Sequence, residues 1–148
     1  MPAATIKKII PCKKNDLINL ILDIEKYPEF VPWCIHGKIH KKNEKNDIIE
    51  IEADLTVGKS FLNQTYKSHV TYYKDKDKIL VSNIGGPLAH LKNEWQIKQI
   101  NNQSEVTFKI DFEIKNIFYN LIMKKSFNQG LEKIADAFEK RAVNLYRN

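Results

Sequence analysis

The sequence predicts an α+β fold in which a curved antiparallel sheet of about seven strands wraps a long C-terminal helix, with two short helices after strand 1. Two observations carry this. From Cys34 onward apolar and polar residues alternate with period two between short polar or glycine-containing breaks, the pattern of strands with one buried face. From about Ile117 to Tyr146 the period changes: Phe127, Leu131, Ile134, Ala135, Phe138, Ala142 and Leu145 recur at three- and four-residue steps, one stripe of a helix. Roughly thirty residues at 1.5 Å rise make a rod of about 45 Å. Such a rod needs a large apolar surface, and the strands before it are what the chain supplies.

Taken in order, Ala4 to Ile10 reads as a strand closed by Pro11. Asn15 and Asp16 are good helix-start residues, and Leu17, Leu20, Ile21 and Ile24 form a stripe about two turns long. The prolines of Tyr27-Pro28-Glu29-Phe30-Val31-Pro32-Trp33-Cys34 bracket a turn or single helical turn, with Pro28 suited to its first turn, where an N–H is not needed. Ile35, Gly37 and Ile39 then alternate with His36, Lys38 and His40, and Asn43 to Asn46 is a polar hairpin turn. Ile49, Ile51, Ala53, Leu55 and Val57 alternate with Glu50, Glu52, Asp54 and Thr56, a half-buried antiparallel strand. Gly58-Lys59-Ser60 turns the chain, Phe61 to Tyr73 is the next strand, Lys74 to Lys78 a turn, and Ile79 to Ile84 a strand. Gly85-Gly86-Pro87 breaks the sheet. Leu91, Asn93, Trp95 and Ile97 lead to a turn at Asn101-Asn102-Gln103, and Val106, Phe108, Ile110, Phe112 and Ile114 complete the strands. Gly130 interrupts the long helix at a cost of about 1 kcal/mol relative to Ala, which predicts a bend or a close approach there.

A chain of 148 residues, 43% hydrophobic and 28% charged, has the size and composition of one globular domain, residues 1–148, without internal repeats or linkers. No apolar run approaches the roughly twenty residues of a membrane span, and Met1 to Lys8 lacks the basic-then-apolar order of a secretory signal. Cys12 and Cys34 belong to no CxxC pair, so free thiols in a reducing compartment are the expectation. The net charge of +6 permits contact with nucleic acid or anionic headgroups. It is almost all lysine, Arg141 and Arg147 being the only arginines, and the richness in Lys, Asn and Ile fits a bias in coding composition as well as a function.

No catalytic constellation emerges. His36 and His40 would share a metal on a helix, but on a strand they stand about 13 Å apart; His69 and His90 are isolated, so no metal is expected. Gly85-Gly86-Pro87 lacks phosphate-loop spacing and precedes a strand, which makes it a rim loop. Asp23 and Glu25 read as a helix-end cap and a solvated charge. Arg141 would reach a polar headgroup or pair with Asp136 or Glu139 on its own helix.

The element order resembles the helix-grip fold of the START-like (SRPBCC, polyketide cyclase-like) superfamily. Asp23 to Cys34 resembles the hallmark of its coenzyme Q-binding proteins and of their bacterial counterparts, the ribosome-association toxin A family. Gly86-Pro87-Leu88 followed by Leu91 and Trp95 is similar to a second family motif, usually Gly-Pro-Phe with a later Trp. Phe112-Glu113-Ile114, Phe138, Arg141-Ala142 and Tyr146 fit the closing strand and helix. The chain departs after Phe61, where Leu62-Asn63-Gln64-Thr65 replaces the usual small hydroxyl residues and Arg.

The resemblance implies a non-enzymatic carrier or chaperone that binds an apolar lipid, ubiquinone or a related isoprenoid, between sheet and helix, in support of respiratory electron transport. Tyr27, Phe30, Val31 and Trp33 would cap the mouth; Phe61, Pro87, Leu88, Trp95, Phe108 and Phe112 would line the sheet side; Phe127, Leu131 and Phe138 would line the helix. Packing of these residues into an ordinary core is the alternative, and the sequence leaves both open. No cofactor beyond the bound lipid is implied. The toxin-type relatives imply a second role, binding the large ribosomal subunit and blocking subunit joining, which a lysine-rich surface permits. Some START-like proteins are cyclases, an enzymatic reading for which no acid/base set can be named. The resemblance places the protein in the bacterial cytoplasm, with peripheral contact at the inner membrane.

Overall fold

The computed structural model describes residues 3–59, 62–85, 88–114 and 117–146, and their side chains except at 3, 59, 62–64, 66, 85, 88–90, 112–114 and 117–128. The order is β1 (Ala3–Ile10), α1 (Lys14–Leu22), a 3-10 helix (Ile24–Glu29), β2 (Cys34–Lys45), β3 (Ile48–Lys59), β4 (Leu62–Tyr73), a 3-10 turn (Lys74–Lys76), β5 (Lys78–Gly85), β6 (Leu88–Ile100), β7 (Gln103–Ile114) and α2 (Ile117–Tyr146). The strands form one seven-stranded antiparallel sheet in the order β1-β7-β6-β5-β4-β3-β2. Strands two to seven are a meander of hairpins; β1 lies at the opposite edge, beside the last strand. The connection from β1 to β2 must therefore cross the whole sheet, and α1 and the 3-10 helix make that crossing under α2.

The alternation of β3 holds, with Ile49, Ile51 and Ala53 buried. Leu17, Leu20 and Ile21 of α1 and Phe138 and Ala142 of α2 meet the inward residues Ile51, Val70, Ile79, Ile97 and Val106 of five strands in one core. That core lies under the C-terminal half of α2.

Several local expectations yield to tertiary context. The first helix starts at Lys14 rather than on an Asn15 or Asp16 cap; Gln99 of β6 accepts the Lys14 N–H at 2.8 Å, so a distant strand supplies what the local sequence does not. Pro28 stands fifth in the six-residue 3-10 helix, near its end instead of in its first turn. A bulge in β2 pairs Cys34 with Val57 and His36 with Thr56, skipping Ile35. Ile35 is thereby turned outward and is 49% exposed, while Cys34 takes the inward place. The β2–β3 turn is the two residues Asn46-Asp47, since strand pairing continues to Lys45 and Ile48; Asn46, at φ 55°, supplies the left-handed residue such a tight turn needs. Gly58 and Lys59, expected in a turn, stay in β3, paired with Asn63 and Leu62, and Ser60 lies outside the described residues. Leu145, assigned to the helix stripe, is 51% exposed, and its neighbour Tyr146 packs against the core instead.

Among the described residues, two devices help hold α2 on the sheet. On the β1 side, Lys8 Nζ reaches Asp136 at 2.9 Å and Glu139 at 3.1 Å. On the β2 side the 3-10 helix fills the gap. Gly37 of β2 lies so close to it that a Cβ there would stand 2.5 Å from the Ile24 carbonyl oxygen. Glu25, read from sequence as a solvated charge, accepts the Ile39 N–H at 3.0 Å.

Candidate ligand site between sheet and helix

The inward positions of the sheet and the facing stripe of α2 bring together five of the thirteen residues expected to line a cavity. Phe138 is the hub. Its ring centroid lies 5.4 Å from Tyr27, 5.2 Å from Phe30 and 5.2 Å from Trp95, each edge to face. Trp95 continues the cluster to Phe108 at 4.5 Å. Edge-to-face rings offset negative faces with positive edges, so the cluster gains beyond its buried area. Tyr27 is anchored further by its hydroxyl, which donates to the Ile21 carbonyl.

This half of the interface is tightly packed. Between β1 and α2 a cavity of only about 20 Å³ remains among Ile6, Ile10, Val106, Phe108, Ile134 and Phe138, with Lys8 and Trp95 at its wall. That is room for one water molecule at most. The cluster is therefore a floor for anything bound further along the helix toward its N-terminus.

Val31 packs against the same core. Trp33 stands apart from it. Its backbone is left-handed, φ 64°, its side chain is 36% exposed, and its ring lies against Gly130 of α2. The Trp33 carbonyl accepts the Gly58 N–H at 2.9 Å, which ties this segment to the end of β3. A left-handed conformation is costly for a bulky residue and persists only where surrounding structure fixes it. Gly130, expected to mark a bend or close approach, marks a close approach. Leu131 beside it is buried. Phe61 and Pro87 lie outside the described residues, as do the side chains of Leu88, Phe112 and Phe127; the backbone of Phe112 pairs in register with Leu91.

The charges near the cap are structural. Arg141 pairs with Glu29 at 2.7 Å, not with Asp136 or Glu139 of its own helix, which are taken by Lys8. Its guanidinium carbon also stands 5.1 Å from the Phe30 ring centroid, so cation–π attraction joins the ion pair in holding the cap to α2. The Arg141 guanidinium, aided by Lys26, holds the Glu29 carboxyl below the usual carboxylate range. Burial raises the thiols of Cys34 and Cys12, the latter to about 11, so neither is an activated nucleophile. Both cysteines are free, and no group of three or more metal-ligating side chains exists among the described residues. His40 bonds Asp54 at 2.8 Å across the β2–β3 pair. No described helix is long and apolar enough to cross a membrane.

Polar side chains also occur in the inward phase of the sheet, where the apolar alternation alone assigns them no role. Ser68 donates to the Ala53 carbonyl at 3.4 Å, Ser104 to the Cys12 carbonyl at 2.8 Å, and Asn83 Oδ1 accepts the Leu91 N–H at 3.0 Å. Asn93 differs: its enclosed Oδ1 meets no donor among the described residues. The signal was an Asn in phase with Leu91, Trp95 and Ile97.

A polyketide cyclase / dehydrase and lipid transport family matches residues 10–139. The ribosome association toxin RatA of Rickettsia prowazekii is 32% identical over 143 residues, 95% of each chain. The mitochondrial coenzyme Q-binding protein COQ10 of Dictyostelium discoideum is 31% identical over 135 residues, 89% of this chain and 64% of that one. The solution structure of an 18 kDa Caulobacter crescentus protein superposes with a TM-score of 0.79 at 28% identity, covering 98% of both chains. A gripped helix over an antiparallel sheet, matched over most of its length by that family's pattern, makes this chain a member of the polyketide cyclase / dehydrase and lipid transport family.

Proposed function

We propose that the protein binds an apolar lipid, ubiquinone or a related isoprenoid, between the sheet and α2, and acts as a carrier or chaperone without catalysing a reaction. The observation that carries this reading is Trp33, a large aromatic residue held left-handed and 36% exposed against Gly130, beyond the packed floor of Phe138 and Trp95. Strain of this kind gathers at ligand clamps. The coenzyme Q-binding name of the Dictyostelium relative supports the same ligand class. The driving force would be desolvation, roughly 25 cal/mol per Å² of tail removed from water. Exposed Trp33 and Ile35 would meet the membrane from which the lipid is taken, a peripheral contact made from the cytoplasm. The expected lining residues outside the described set, Phe61, Pro87, Leu88, Phe112 and Phe127, belong to the same proposal.

Native mass spectrometry of the gently purified protein tests it. A co-purifying isoprenoid, or saturable quenching of tryptophan emission by added quinone, is the expected result. A clean apo mass with no quenching overturns it.

A second reading, association with the large ribosomal subunit, is favoured by the relative named for ribosome association, 32% identical over 95% of both chains. Co-sedimentation with large subunits at physiological salt supports it. Co-sedimentation at low salt alone reduces it to charge attraction by the lysine surface.

A further inference from the structure

Among the described residues, the uncharged polar side chains on the inner face of the sheet are of two kinds. Ser68, Asn83 and Ser104 each serve the protein's own backbone, at 3.4, 3.0 and 2.8 Å. Asn93 does not. Its register partners are Val81 on β5 and Ile110 on β7, and Leu91 and Trp95 are its same-face neighbours along β6. Four apolar residues thus ring one amide, whose Oδ1 is enclosed and lacks a donor among the described residues. Enclosed polar atoms are almost always paired in folded proteins, and one without a partner calls for an explanation.

Position supplies the explanation. Trp95 stands on the floor formed with Phe138. Asn93 is the next inward residue of β6 in the direction of Leu88, whose partner Ile114 lies just before the start of α2. A molecule resting on the floor from that side therefore meets the Asn93 amide first.

We propose that Asn93 is the headgroup-binding residue of the cavity, and that the group it binds is a hydroxyl on a flat ring, as in a quinol or phenol lipid. This rests on the lipid-binding reading above and goes beyond it by fixing headgroup chemistry and orientation: ring inward on Trp95, tail trailing past Leu91. A hydroxyl both donates and accepts, so it pairs with the amide whichever of its two polar atoms faces the ligand. A quinone carbonyl only accepts and leaves Oδ1 unpaired. The site should therefore hold the quinol form of such a lipid more tightly than the quinone form, which still binds through its ring and tail, because a buried acceptor left without a donor is costly.

The test uses two probes of nearly equal shape, 4-nonylphenol and its methyl ether, titrated against the full chain with calorimetric and tryptophan-fluorescence readout. Wild type is expected to bind the phenol at least tenfold more tightly than the ether. Asn93→Leu, close in volume and apolar, should bring the phenol down to the ether's affinity, leave the ether unchanged, and unfold no earlier than wild type. Equal loss for both probes, or phenol preference surviving in Asn93→Leu, overturns the assignment while leaving lipid binding standing. Absence of binding by either probe to wild type overturns the assignment, while lipid binding itself stands or falls on the mass spectrometry above. If Asn93→Leu fails to fold, Asn93→Ser is the second variant: retained phenol preference supports the assignment, since the serine hydroxyl still accepts, and equal affinity for the two probes overturns it.

Discussion

Gly130 of α2 lies directly beneath Trp33: a Cβ built at Gly130 would stand 3.5 Å from both Cη2 and Cζ3 of the indole. That is ordinary van der Waals distance, so one methyl group fits and a longer side chain does not. Gly130→Ala should raise stability by about 0.5–1 kcal/mol through helix propensity, with tryptophan emission unchanged. Gly130→Leu should push the indole away, red-shift the emission and abolish quenching by quinone. Denaturant melts and emission spectra of the two variants check this.

Gly37 is the opposite case. A Cβ there would sit 2.5 Å from the backbone oxygen of Ile24, and backbone cannot swing aside as a side chain can. Gly37→Ala should cost about 2–3 kcal/mol, in the range of overpacked sites. Urea unfolding measures it, and a cost under about 0.5 kcal/mol would contradict the contact between β2 and the 3-10 helix.

Phe138 joins cap, sheet and helix. Phe138→Ala removes the edge-to-face partners of Tyr27, Phe30 and Trp95 at once and should cost about 3–5 kcal/mol. Because Arg141 and Glu29 continue to hold the cap, its loss should also be cooperative: calorimetry should show a single transition at lower temperature.

The alkaline limb of stability should carry the signature of Cys12. Burial, with a smaller contribution from the Asp16 charge, raises the thiol from 9.0 to about 11. A raised folded value means that stability is full below pH 9 and falls as pH climbs toward 11, because the unfolded chain loses its proton first. Urea midpoints of wild type should drop across that interval, and Cys12→Ala should lose less over the same range. Equal slopes would place Cys12 in contact with water.

Elements with a strong internal period were legible in the sequence. The long helix runs from Ile117 to Tyr146 as its stripe predicts, and β3 buries the residues its alternation selects. What escaped was decided by partners far away in the chain. Nothing near Lys14 announces that Gln99 will cap it, nothing in the β2 sequence marks Ile35 as a bulge, and nothing near Arg141 identifies Glu29 as its partner. The candidate site was legible as a set of aromatic residues, and five of them meet. Their division into a closed floor and a separate Trp33 was not legible, because periodicity gives the face of a residue and not its height along the helix. Asn93 stands in the alternation of β6 with Leu91, Trp95 and Ile97, but a strand pattern gives only its face: that its amide lies among apolar residues depends on Val81 and Ile110, which belong to other strands.

The pairing of β1 with β7 sets an order of events during synthesis. Ala3–Ile10 finds its partner in Ser104–Asp111, so β1, made before the other strands of its sheet, waits about a hundred residues for its neighbour. Until β7 emerges, the hairpins from β2 to β6 can form in sequence, each closed by a short turn, while β1 has no neighbour in the sheet and α1 has only part of its core. Nascent chains stalled before residue 103 should therefore expose apolar surface on β1 and α1, and that is where a chaperone would have to act.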